Sequence, residues 1–169
     1  MRRLSVQETW ERAESLDAVE SPELLTLKAH ALLDGVLSRI VASHLGTHVD
    51  RLPSLSFAHV AQLAVAAEDV IAPLKPVIDR VDEARNHVAH EWHPTALPTH
   101  MERLAGSMAV GPWPTDTRAQ VAVFRIALKK LIATVNGASH FAAMTPEDWQ
   151  GFEADLKQHA EDAIGSLRR

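Results

Sequence analysis

Two places in this chain carry the same helix-opening combination, Ser21-Pro22-Glu23 and Thr145-Pro146-Glu147-Asp148. In each, a capping hydroxyl precedes a proline that needs no N–H partner, and early acids complement the helix dipole. Behind the first, Leu25, Leu32, Val36 and Ile40 recur at helical spacing until Gly46 supplies a stop, which predicts a helix to Leu45. The second predicts a last helix running nearly to the C-terminus. Similar signals divide the rest. Ser5-Val6-Gln7-Glu8 reads as a capping box opening a short helix to about Leu16. A third helix opens near Ser56 and carries Phe57, Val60, Leu63 and Ala64. Leu74-Lys75-Pro76 starts a fourth, which Pro94 ends at about His93. Pro94, Pro98, Gly111, Pro112 and Pro114 then break the chain, leaving one short helix near Thr99 to Ser107. A fifth long helix runs from about Thr115 to Asn136 and stops at Gly137. The expected fold class is all-α, a bundle of long helices with short loops.

Composition agrees. With 46% hydrophobic and 23% charged residues, the chain has the balance of an ordinary globular protein, and 169 residues suffice for one domain with one core. There is no cysteine, which excludes a disulfide framework, thiol catalysis and a thiolate metal site. The N-terminal Met1-Arg2-Arg3-Leu4-Ser5 leads into Gln7, Glu8, Glu11 and Arg12 rather than an apolar run, so no secretory signal is expected. No stretch approaches the roughly 18 apolar residues of a membrane span, and a cytoplasmic protein is expected. A formal net charge of −5 argues against coating duplex nucleic acid by bulk charge, but not against meeting RNA through a local patch.

On a helical wheel of residues 77–92, Val77, Val81, Ala84, Val88 and Trp92 fall on one apolar stripe. Asp79, Glu83, Asn86 and His90 form the opposite stripe, with Arg85 at the border, while His87 is read as turned away. Two readings of the polar stripe are open. In one it is a solvated face on which Glu83 pairs with His87 and Asp79 caps the first turn. In the other it is a site.

Arg85-Asn86-x-x-x-His90 resembles the R-x4-6-H signature of the HEPN superfamily (higher eukaryotes and prokaryotes nucleotide-binding), and it lies late in a helix after a long helical hairpin, as in that family. Leu27-Lys28-Ala29-His30 through Asp34 is similar to the family's first long helix with its acidic position. Leu55-Ser56-Phe57 followed by Leu63 is similar to the next, as in the mannitol-repressor-like branch. The resemblance covers about Leu24 to His93. The expected organisation is a single domain over 1–169, with a HEPN-like core at 24–93 implied by the resemblance and, outside it, a helical extension at 94–169 packed on that core.

The resemblance further implies a metal-independent endoribonuclease, the toxin of a toxin–antitoxin or phage-defence module, needing no cofactor. Its catalytic residues would be Arg85, Asn86 and His90. A histidine takes the 2′-hydroxyl proton or protonates the leaving oxygen, and an arginine holds the phosphate in a forked geometry. Asn86 would orient His90 or the phosphate. One motif supplies one histidine, so two chains are expected to meet as a homodimer with both motifs in one cleft. RNA is the expected substrate, and an antitoxin or other regulatory protein a further partner. One branch of the family has a tyrosine two residues after the histidine, modified by a partner nucleotidyltransferase; here that position is Trp92, and the chain has no tyrosine. The mannitol-repressor-like branch includes non-catalytic regulators and interaction modules, the second reading for this chain.

Other candidates stay beside these. Asp34, one turn after His30, is either a carboxylate supporting the site from behind or a surface ion pair, and Glu83 is a second such carboxylate. His87, His90 and His93 are spaced by three, but a metal site is not expected, because His87 is read as turned away and His93 precedes Pro94. His44 and His48 are expected in a loop. Arg118, Arg125, Lys129 and Lys130 make one side of the fifth long helix basic, either a solvated face or a contact for phosphates or an acidic partner. Trp10, Trp113 and Trp149 are expected to pack against neighbouring helices rather than stack bases.

Overall fold

The computed structural model describes residues 6–47, 49, 52–91 and 95–141. Over these residues the protein is an all-α bundle of six packed helices, and no strand occurs among them. In chain order they are α1 (Val6–Glu14), α2 (Pro22–His44), α3 (Phe57–Ala67), α4 (Lys75–His90), α5 (Leu97–Ser107) and α6 (Thr117–Phe141). Short 3₁₀ segments follow α1 at Ser15–Ala18 and join α3 to α4 at Asp69–Leu74. The expected helix from Thr145 lies outside the described residues, as do Trp92, His93, Pro94, His48 and Trp149.

The opening and closing of α2 follow the chemistry of its ends. Ser21 Oγ accepts from the Leu24 N–H at 3.1 Å, with Pro22 in the first turn. At the far end Gly46 takes φ of 59°, and the Thr47 N–H returns to the Ala42 carbonyl at 2.9 Å. A left-handed residue there satisfies carbonyls the helix leaves open, and glycine adopts it without a Cβ clash. The four residues expected to face the core are all buried, and Ala29, Leu33, Leu37 and Val41 are buried as well. Apolar burial on more than one side makes α2 a central helix, touching α1, α3, α4 and α6.

Three elements differ from expectation. On α3, Val60, Ala61 and Ala64 form the core side and Phe57 packs on it, whereas Leu63 is exposed. Helix α4 ends at His90, three residues before the expected His93, and Glu91 is extended. Helix α6 opens with Asp116 Oδ1 accepting from the Ala119 N–H at 2.8 Å, and it runs through Gly137 instead of stopping.

The passage through Gly137 has a tertiary cause. Asn136 and Ala138 on either side are buried, and Asn136 Oδ1 accepts from Arg39 Nη2 on α2. Arg39 Nη1 also donates to Thr9 Oγ1 on α1 at 2.9 Å. This polar junction ties three helices where a glycine stop would otherwise fray the last turn. Asn136→Ala strands part of it away from water. It is expected to cost about 1–3 kcal/mol in chemical denaturation, the range for leaving a buried polar group unmatched.

Candidate functional site

Helix α4 carries the polar sequence motif, and its neighbours set the environment of each flank. Val77, Ile78, Val81 and Ala84 are buried and Val88 packs on the core, which turns the remaining positions outward. Helices α2, α3 and α5 all pack against α4.

On the α2 side, His30 Nε2 lies 3.1 Å from Asp82 Oδ1, and the His30 ring stacks on Phe57 with centroids 4.2 Å apart. Asp34, one turn along α2, is half-buried beside this pair. Burial raises its pKa above the ordinary aspartate value, nearby His30 opposes the rise, and Asp82 adds to it. Asp34 therefore belongs to a His30–Asp82 cluster and is not among the residues surrounding His90. Its raised pKa means that the folded state holds the proton more tightly than the unfolded chain. The stabilising contribution is complete below the unfolded value and is lost as pH rises through the folded one. Asp34→Asn is accordingly expected to raise the thermal midpoint at pH 7, with the advantage shrinking as pH falls through the carboxylate range.

On the outer side, near the C-terminal end of α4, Glu83, Asn86, His87, His90 and Glu91 line an open depression of about 360 Å³. Arg85, partly buried, donates from Nη1 to Asn86 Oδ1 at 2.9 Å, and His90 lies one turn beyond Asn86 with its side chain exposed. Asn86 and His90 thus share the depression, with the Arg85 guanidinium joined to it through its bond to the Asn86 amide.

The histidine read as turned away is part of this surface. His87 and His90 are three residues apart and so are neighbours on a helix. His87 pairs not with Glu83, as expected of a solvated face, but with Glu91, Nδ1 to Oε1 at 2.7 Å. Its ring also meets His100 of α5, centroids 4.7 Å apart and tilted by 42°. Burial lowers the pKa of His100 below the ordinary imidazole value, and the His87 ring lowers it further. His100 had no signal in the sequence, because α5 places it from across a loop. Asp79 caps nothing; it takes both of its oxygens to Lys75 Nζ, at 2.6 and 2.7 Å.

The basic residues of α6 are mostly committed to the fold. Arg125 Nη2 donates to the Val19 carbonyl at 2.6 Å, Lys129 pairs with Asp17 at 2.7 Å, and Lys130 donates to the Met108 carbonyl at 2.9 Å. Only Arg118 of the four is exposed on the described surface. His44 closes α2 and meets Glu68 at 3.1 Å, tying the ends of α2 and α3. Trp113 packs against the core. Among the described residues no three His, Asp or Glu side chains gather as a metal-binding group, and no helix is long and apolar enough to cross a membrane. The chain matches no protein-family model, and no curated protein or solved structure matches it.

Proposed function

We propose that the protein is a metal-independent endoribonuclease of HEPN type, acting as the toxin of a toxin–antitoxin or phage-defence module. The observation that carries this reading is the surface at the end of α4, where Arg85 is bonded to Asn86, and Asn86 lines an open depression together with the exposed His90 one turn beyond it. Arginine offers a fork for a phosphate, and histidine exchanges protons near neutral pH, which is the chemistry 2′-hydroxyl attack on phosphorus requires. The depression is open to solvent, and no metal is needed for the step. A homodimer that apposes two such surfaces is part of this proposal, with RNA as substrate and an antitoxin as the controlling partner.

A non-catalytic HEPN-like regulator, of the mannitol-repressor-like kind, is the second reading. It draws support from α6, whose Arg125, Lys129 and Lys130 are held by internal partners and so offer little phosphate-binding surface. Incubating total RNA with the protein and with its His90→Ala variant separates the two. Cleavage by the first and not the second supports the nuclease. Intact RNA with both, and harmless expression in cells, assigns the regulator.

A further inference from the structure

Cleavage of RNA through its 2′-hydroxyl uses two proton transfers, one from the attacking oxygen and one to the leaving oxygen. With a single histidine per motif, the second group is expected from a partner chain. The geometry points to a nearer source: we infer that His87, oriented by Glu91, is the general base of this site, so that one chain carries both proton-transfer groups. This rests on the endoribonuclease reading and specifies how its site works.

The first support is the bond to Glu91. A carboxylate only accepts, so His87 Nδ1 carries the hydrogen in the 2.7 Å contact and Nε2 keeps the lone pair. A base held in one tautomer by a carboxylate is ready to take a proton at its other nitrogen, and the imidazolium that results lies beside a negative charge. The second support is position, because His87, His90 and Asn86 line the same depression. The third is the setting of the ring. The groups facing His87 are Glu83, His90 and Glu91 on its own helix, and on α5 His100, with Arg103 close enough to act on His100. His100 packs against the ring from α5, with centroids 4.7 Å apart, and holds that side of it in place.

The step balances without a co-reactant. The 2′-oxygen bonds to phosphorus as its proton passes to His87 Nε2. The bond from phosphorus to the 5′-oxygen breaks as His90 protonates that oxygen. A 2′,3′-cyclic phosphate and a 5′-hydroxyl leave, and the two imidazoles exchange their proton through water. Glu91 touches no reacting atom and is a positioning residue.

The test is the pH profile of kcat between pH 5 and 9 on a mixed-sequence fluorogenic oligoribonucleotide, for the full chain and its His87→Gln, Glu91→Gln and His90→Gln variants. His87→Gln is expected to lower kcat by roughly 10²–10⁴-fold, the usual weight of a general base, and to remove the acidic limb of the profile. Glu91→Gln is expected to lower kcat less and to move that limb toward lower pH, a displacement that loss of a merely structural contact would not produce. If His87→Gln keeps the wild-type rate and profile while His90→Gln is inactive, the inference fails and the nuclease reading stands. If the unaltered protein cleaves nothing, both fail together. His87 is over a third exposed, so its replacement leaves the core intact and a lost rate reports on chemistry.

Discussion

Replacing His90 by alanine is expected to lower the rate of RNA cleavage by roughly 10²–10⁴-fold while leaving thermal unfolding where it was. The side chain is exposed at the last residue of α4 and fills no core space, so its loss removes chemistry rather than packing. Arg85→Ala is expected to cost about 10²–10³-fold, the weight of one preorganised donor to the developing charge on phosphorus. Arg85→Lys is not expected to restore the rate, since a single ammonium reproduces neither the fork nor the bond to Asn86 Oδ1. Because the two residues act on one transition state, the double variant should lose much less than the product of the single losses. Single-turnover cleavage of a defined oligoribonucleotide, with a melting curve for each variant, measures all of this. Equal residual rates in the unaltered protein and in both variants would leave the surface without a catalytic role and return the protein to the regulator reading.

Local chemistry explains which parts of this arrangement can be read from the chain. Ser21, Pro22 and Gly46 act on backbone groups within four residues of themselves, so the limits of α2 are written in its own sequence. The buried side of α4 was legible for the same reason, since a period of about 3.6 residues maps directly onto a face. What sequence does not carry is the identity of neighbours from elsewhere in the chain. Gly137 looks like a stop, yet Arg39 and Thr9 hold the preceding Asn136 inside and the helix continues. Leu63 has the spacing of a core residue, but the interface formed by α2 falls on Val60, Ala61 and Ala64 instead. The basic run of α6 resembles a free charged face until Val19, Asp17 and Met108 arrive to take three of its cations. The site follows the same pattern. Arg85, Asn86 and His90 share a helix and were visible together, whereas His100 comes from α5 and Asp34 turns toward His30 and Asp82. His87 is the exception within one helix: its neighbour relation to His90 was available from spacing, and it is the partner Glu91, just past the helix end, that shows the ring to be held in place.

Truncation of Phe124 to alanine is expected to be the most damaging single change to the fold, about 3–5 kcal/mol by the precedent of aromatic core residues. Phe124 is completely buried and stands among the largest side chains of the core, in a stretch of α6 where Ala127, Leu128 and Leu131 are buried too. Helix α6 touches α1, α2 and α5 and the 3₁₀ segment before α4, so a void there removes contacts from several elements at once. Ala127, one turn along the helix and buried, cannot extend to fill it, which favours the upper part of the range. Against a total stability of about 5–15 kcal/mol for a domain, such a loss brings the variant near the threshold of folding. For a chain of this size each kcal/mol moves the midpoint by roughly 2–4 °C, so a fall of about 6–20 °C is expected in calorimetry. Leu63→Ala provides the internal contrast: the side chain is 45% exposed, and its removal should change stability by no more than about 0.5 kcal/mol. Equal midpoints for the two variants would mean that α6 does not sit at the centre of the bundle. A large fall for Phe124→Ala alone would place Phe124 at the centre of the one core, to which α4 contributes Val77, Ile78, Val81 and Ala84 while its polar surface faces outward.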